Sequence, residues 1–529
     1  MLNNFFEKIK INFKNFNKST DLLLLVFLIL IINVSLTIKL IGVIFIYFMR
    51  PDFKFGFKSK RMPFFYLTMI CLMLIQFILN YTSNLNYIIL FSLSLSYWLF
   101  SILILHQVIL SIETQGIIKV KNALAWFFIF NAIVTGYNIL CIILEIHSLN
   151  PYIYDGHNYK YFASTGDHLR GISFDISTTN NIFNSLGIFY FFYQKQFRLS
   201  LLCFIITLVT TSNLGNLILL TSFLFIFLFD KSKYHKSIVI CFISFMIIFI
   251  VKVSPSNLNY LNNKIQSLLH SEKKLLKPHY DDRIEKNDLI LGYLKHNSLL
   301  KKEIILPKNI LYNTVIEKEL SDKLNSKKLD SIDLKKDEIN RGKFILLFNT
   351  LYGDTNISIN QNYYEKYPGK YISFLETFKK IKSSPKHLLI GYGAGNFSSK
   401  LAYKATNIGI SGKYINKLAY ISPDFKENHL KLTLRYYLKS ISEHSMLNFP
   451  NSVLNQLLGE YGLIGFLLFI IFYLYYFLKR YKELSYGLIL LPIFLFFLFT
   501  DYWFEAFNIV IIFEIMMFVD LYKNKSQLD

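Results

Sequence analysis

The apolar residues of this chain come in nearly uncharged blocks of about 15–25, repeated along much of the sequence. Runs of that length are too long for single buried strands and match what a helix needs to cross a bilayer. Composition agrees: of 529 residues, 53% are hydrophobic and 17% aromatic, more than a water-exposed surface of this size tolerates. A soluble enzyme, a secreted disulfide scaffold and a disordered chain are therefore excluded. A membrane barrel is excluded because its strands would alternate apolar and polar residues. Cys71, Cys141, Cys203 and Cys241 all lie inside apolar runs without CxxC spacing, so neither disulfides nor zinc are expected. The first residues do not read as a signal peptide: Lys8, Lys10, Lys14 and Lys18 precede an apolar run with no small-residue cleavage site. Mixed with Phe5, Ile9, Ile11, Phe13 and Phe16, those lysines suggest a short helix on the cytoplasmic membrane surface.

The expected fold is an all-α polytopic membrane protein with about 12 transmembrane helices and one large, mostly helical extracytoplasmic loop domain. The spans are drawn at 22–38, 40–49, 63–80, 86–105, 122–144, 182–194, 199–211, 216–229, 237–251, 453–478, 485–500 and 505–521. The first two are read as a tight hairpin with Lys39 snorkelling outward, a single long span being the alternative. Basic clusters set the orientation: Arg50 to Arg61, Lys119 and Lys121, Lys195 and Arg198, Lys231 to Lys236, and Lys479 to Lys482. All fall inside if both termini are cytoplasmic. The chain then divides into a cytoplasmic N-terminus (1–21), nine spans (22–251, with an outward loop at 146–181), a large outer loop (252–452), three spans (453–521) and a cytoplasmic tail (522–529). The large loop holds 33 basic and 19 acidic residues, which the charge rule permits because long loops translocate regardless of charge. Apolar spacing predicts helices there at 311–329, 371–383 and 427–442.

Three segments carry residues suited to chemistry. The first is Gly166-Asp167-His168-Leu169-Arg170-Gly171-Ile172-Ser173-Phe174, leading to Asn180 and Asn181. An arginine beside a glycine just outside the bilayer can grip a diphosphate through its planar fork; pairing with lipid phosphates is the plainer alternative. The second is Gly369-Lys370 to Phe374, then Pro385, then Gly391-Tyr392-Gly393-Ala394-Gly395-Asn396-Phe397. Its amides are able to meet a phosphate, but the GxGxxG spacing and a βαβ frame are missing, and a structural turn is the preferred reading. The third runs from Glu443 and His444 through Pro450, Asn451 and Ser452 to Gln456, Glu460, Gly462 and Gly465. Glu460 in an apolar span reads first as a buried carboxylate bonded to a neighbouring helix. His444 is a candidate base or an exposed loop histidine.

Together these segments resemble the O-antigen ligase and O-antigen polymerase superfamily of bacterial membrane glycosyltransferases. Arg170, Gly171, Phe174 and Asn180 or Asn181 match its first signature. Gly369, Lys370, Phe374, Pro385 and Gly391 to Phe397 match its loop signature, and Pro450, Asn451, Ser452, Gln456, Glu460, Gly462 and Gly465 its third. The chain departs from the pattern at Ser212-Asn213, where the family has Ser-Arg, at Lys370, where it has Arg, and at Asn451, where it has His.

The resemblance implies inverting, metal-independent transfer of an oligosaccharide from an undecaprenyl diphosphate carrier to a sugar hydroxyl, outside the bacterial cytoplasmic membrane and without a cofactor. Arg170 and Lys370 would hold the departing diphosphate, with Arg341 and Arg435 adding to the field. His444 or Glu443 would serve as base and Asn451 would orient the acceptor. Gly171, Gly391, Gly393, Gly395 and Glu460 would be structural. The implied partners are the lipid-linked donor, a glycan or lipid-sugar acceptor, the bilayer and, optionally, a chain-length regulator; nucleic acid is not among them. The missing histidine favours polymerisation of surface polysaccharide over ligation to a lipid A-core acceptor. A polysaccharide-lipid transporter or flippase and a non-enzymatic surface-binding protein are the readings from other classes.

Overall fold

The computed structural model describes residues 18–57, 61–80, 83–153, 168–253, 348, 351, 367–408, 410–412, 414–438 and 445–528. Among these residues the regular elements are helices and there is no strand, as a chain that must satisfy its backbone inside lipid requires. Four helices are long and apolar enough to cross a membrane: Leu85–Gln115, Ile117–Ile146, Lys233–Val253 and Val453–Leu478. Shorter apolar helices occupy Leu22–Ile32, Leu36–Met49, Phe65–Leu79, Phe197–Val209, Leu214–Phe229 and Gly487–Leu498. The chain forms two compact units, one of residues 1–72, 95–266 and 466–529, the other of residues 73–94 and 267–465.

In the first unit, Leu22–Ile32 and Leu36–Met49 form the expected hairpin. Asp21 caps the first helix at Leu24 N (3.1 Å) and pairs with Arg50 at 3.0 Å, closing the open end. The break falls at Asn33 to Ser35, ahead of Lys39. Lys39 does not snorkel outward. It is buried, donates to the Ala506 carbonyl, and lies 5.4 Å from the Phe507 ring centre. The carbonyl is available because the chain breaks there, between the short Trp503–Ala506 helix and Asn508–Leu528, with Phe507 at φ 63°. An ammonium satisfying helix-end carbonyls inside apolar packing explains why this lysine stays in.

The helix drawn from residue 182 starts at Ser177, and 15 of its 17 residues are buried. It is enclosed by other helices, which is why its first half tolerates Thr179, Asn180, Asn181 and Asn184. A helix buried on all sides loses the amphipathic pattern on which span drawing depends.

In the second unit, the helix expected at 371–383 is Gly369–Ile381, and the one expected at 427–442 appears as a π turn at Lys426–Leu430 followed by Lys431–Leu438. The helix expected at 311–329 lies outside the described residues. Gly391 and Gly462 meet backbone to backbone. Each has a positive φ (70° and 68°), and a Cβ on either would lie 2.5 Å from main-chain atoms of the opposing strand of chain. Only glycine fits both demands. The contact lets the 391–393 backbone reach the kinked helix, with Tyr392 N donating to Gly459 O and Gly393 N to Glu460 O, each at 2.9 Å.

Candidate functional site

Arg170 lies in the first unit, at the start of a one-turn 3-10 helix, Gly171–Ser173. Two buried carboxamides hold this turn. Asn131 Oδ1 accepts from Ile172 N at 3.0 Å, and Asn180 Nδ2 donates to Leu169 O at 2.7 Å. The two are joined by Asn131 Nδ2 donating to Asn180 Oδ1 at 2.9 Å. Gly171, at φ 59°, is crowded by both: a Cβ would come within 2.2 Å of Asn131 Oδ1. The Arg170 side chain is half-buried on this fixed turn. Burial, with the Arg170 cation second, pushes the neighbouring His168 down to about 4, so that imidazole is neutral at physiological pH.

Asn181 has a different task. Its Nδ2 donates to Thr207 O (3.2 Å) and Thr210 Oγ1 (2.9 Å), tying the end of Phe197–Val209 to the buried helix. Of the departure at Ser212-Asn213, Ser212 is the N-cap of the following helix, its hydroxyl accepting from Gly215 N at 3.3 Å.

The second and third sequence segments come together in the second unit. Lys370 Nζ donates to the Asn451 carbonyl at 2.5 Å, and Lys370 N to Leu447 O at 3.2 Å. Asn451 is buried and serves Lys370 through its backbone carbonyl. Beneath this pair runs a continuous buried polar chain. Ser373 Oγ reaches Pro450 O (2.9 Å), Asn455 Nδ2 donates to Ser373 Oγ (2.8 Å) and to Pro450 O (3.0 Å), and Thr377 Oγ1 donates to Ser373 O (2.7 Å). His429 Nε2 meets Thr377 Oγ1 at 3.1 Å, and its Nδ1 meets Ser398 Oγ at 3.3 Å. Each ring nitrogen of His429 thus has a hydroxyl partner, so a neutral imidazole, with one donor and one acceptor nitrogen, is satisfied there. Ser398 N then donates to Glu460 Oε1 at 3.2 Å. Burial without a charge partner drives His429 down to about 3.

The glycine-rich segment therefore spends amides on its own unit: Tyr392 and Gly393 bind helix carbonyls, and Phe397 and Ser398 bind the Glu460 carboxylate. The segment forms a turn, as read from its glycines, and Glu460 is a buried carboxylate, but its partners are the loop amides of Phe397 and Ser398 and not the neighbouring helix expected. Arg435 is half-buried with its guanidinium 5.7 Å from the Phe348 ring centre. Arg341, Glu443 and His444 lie outside the described residues.

Sequence reasoning passed over His429 and Asn131. His429 sits between Phe425 and Leu430, both fully buried, and a histidine between core positions of a helical pattern was the available signal. Asn131 lies in the Ile117–Ile146 span, where a lone carboxamide is costly unless it has a partner.

No family model, no curated protein and no solved structure matches the chain.

Proposed function

We propose that this chain is a glycosyltransferase of the bacterial cytoplasmic membrane that moves an oligosaccharide from an undecaprenyl diphosphate carrier to a sugar hydroxyl on the outer side. Extension of a surface polysaccharide is favoured over ligation to a lipid-sugar acceptor. The proposed topology has twelve spans, cytoplasmic termini and the large loop outside.

What supports this reading is the Lys370–Asn451 contact: two segments 81 residues apart, each picked out in the sequence for chemistry, meet through a cation and a carbonyl. In the proposed reaction the acceptor oxygen bonds to the anomeric carbon as the carbon–oxygen bond to the diphosphate breaks. The electron pair leaves on the diphosphate, and the acceptor proton passes to a base, for which His444 and Glu443 are the candidates. Charge builds on the leaving diphosphate, so a cation that holds it, for which Arg170 and Lys370 are the candidates, would act chiefly in the transition state. Lys370 supplies charge without the bidentate fork.

The test is deletion of the gene, with surface glycan resolved on a gel. Loss of the ladder with one repeat unit retained indicates polymerisation. Loss of all attached glycan indicates ligation, and an unchanged pattern refutes both.

One observation favours a second reading, a transporter of lipid-linked glycan. Glu514, fully buried on Asn508–Leu528, accepts from Tyr66 Oη at 2.5 Å, and carboxylates placed this way recur in ion relays. Movement of labelled donor across vesicles without its consumption would select this reading.

A further inference from the structure

The Gly369–Ile381 helix has two unlike faces. Ser373, Thr377 and Ile381 point into the unit and are buried. On the other side Tyr371, Phe374 and Phe378 follow one another at helical spacing, 50%, 40% and 42% exposed, and Tyr367 extends the row by one turn. The Tyr367 and Tyr371 rings lie 5.4 Å apart. Lys379 and Lys382 flank the row and are exposed, with Lys382 Nζ 4.1 Å from the Phe378 ring centre. A continuous aromatic row not covered by its own chain is uncommon and marks a contact surface.

The anchorage of the helix indicates what it meets. Its first turn is bonded to Leu447 O and Asn451 O, immediately ahead of the apolar Val453–Leu478 helix. The turn that follows it is bonded to the end of another apolar helix: Lys386 Nζ donates to the carbonyl of Leu79, the last residue of Phe65–Leu79, at 3.1 Å. Gln76 of that helix donates to Ile390 O. The segment 369–390 is thus tied at both ends to the termini of apolar helices.

We propose that Gly369–Ile381 is an interfacial anchor, lying in the headgroup layer with its aromatic row in the acyl boundary and Lys379 and Lys382 on the phosphates of anionic lipid. Phe374 and Phe378 have no polar tip, and the exposed charges beside them are ammonium groups. That combination suits acyl chains and phosphates better than it suits a sugar platform, which also needs hydrogen-bonding partners for hydroxyls. The proposal rests on the membrane location and not on the transferase reading. Its consequence is that Lys370, on the same helix, is held at headgroup depth.

The test places a nitroxide at Phe374→Cys in full-length protein whose four native cysteines are replaced, reconstituted in phosphatidylethanolamine and phosphatidylglycerol vesicles. Collision with oxygen and with a water-soluble nickel chelate is measured by power saturation. The anchor predicts more collision with oxygen than with nickel at 374, a positive depth parameter, and a lower parameter at Lys379→Cys. Nickel ahead of oxygen at 374 would place the row in water, as a glycan platform requires, and overturns the proposal. Failure of both reagents to reach the label would mean that protein covers the row, which overturns it too. Phe378→Cys repeats the measurement under the same criteria if the first variant does not fold.

Discussion

Acidification should weaken this protein through His429, and replacing His429 should remove that part of the effect. The imidazole is fully buried, is hydrogen-bonded to two hydroxyls, and is held down to about 3. In the unfolded chain it titrates near about 6.5. Between those values the unfolded state binds a proton that the folded state refuses, so stability rises with pH. The contribution of the neutral ring is therefore complete above about pH 6.5 and is lost as pH falls toward about 3, at about 1.4 kcal/mol per pH unit. Going from about pH 7.5 to about pH 5 should cost about 2 kcal/mol through this one group. The assay is thermal unfolding of purified protein in detergent at both pH values, for wild type and His429→Gln. Glutamine offers an amide donor toward Thr377 but does not titrate. The other titrating groups contribute to both proteins, so the comparison is between the two pH-dependent drops in Tm. The wild-type drop should exceed the variant's by a few degrees. Parallel drops would mean that His429 takes up its proton in the folded state as readily as in the unfolded one, and would refute the buried neutral relay.

Gly391→Ala should be destabilised by about 3 kcal/mol or more, since the left-handed backbone and the added methyl against main-chain atoms both oppose it; loss of the monodisperse species on gel filtration reads this, and wild-type thermal stability would contradict it. Arg170→Ala should slow turnover about 10²-fold with expression intact, and Arg170→Lys should fall between the two because charge is kept and the fork is lost; a wild-type rate in Arg170→Ala removes this residue from the site. A cysteine at Ser326 should react with an impermeant thiol reagent in intact spheroplasts, whereas reaction only after permeabilisation would reverse the proposed topology.

The parts legible in the sequence were those governed by long-range periodicity and by backbone demands that only glycine meets. The apolar blocks marked most helices, and the glycine-rich run at 391–395 read as a turn, whereas its meeting with Gly462 was not visible because that partner lies 71 residues further along the chain. What escaped depends on tertiary placement. Lys39 looked like a snorkelling residue because its partner, the Ala506 carbonyl, lies 467 residues away. The early start at Ser177 was hidden because a helix enclosed on every side can carry asparagines in its first turns once Asn131, Thr135 and Thr210 answer them. The spacing around His429 marks only a core position; its role arises when the segments carrying Thr377 and Ser398 fold against it. The amides of the glycine-rich turn were free to be imagined around a phosphate until Glu460 was seen to occupy two of them.

Turnover of a defined donor by the purified protein tests the central claim most directly. The chain is reconstituted in vesicles with an undecaprenyl-diphosphate-linked oligosaccharide, labelled in the sugar, and with an unlabelled glycan acceptor. The account predicts free undecaprenyl diphosphate and a lengthened, labelled glycan in equal amounts, and loss of both products in Arg170→Ala and Lys370→Ala. Intact donor after prolonged incubation, with protein that is folded by its thermal profile, would contradict it.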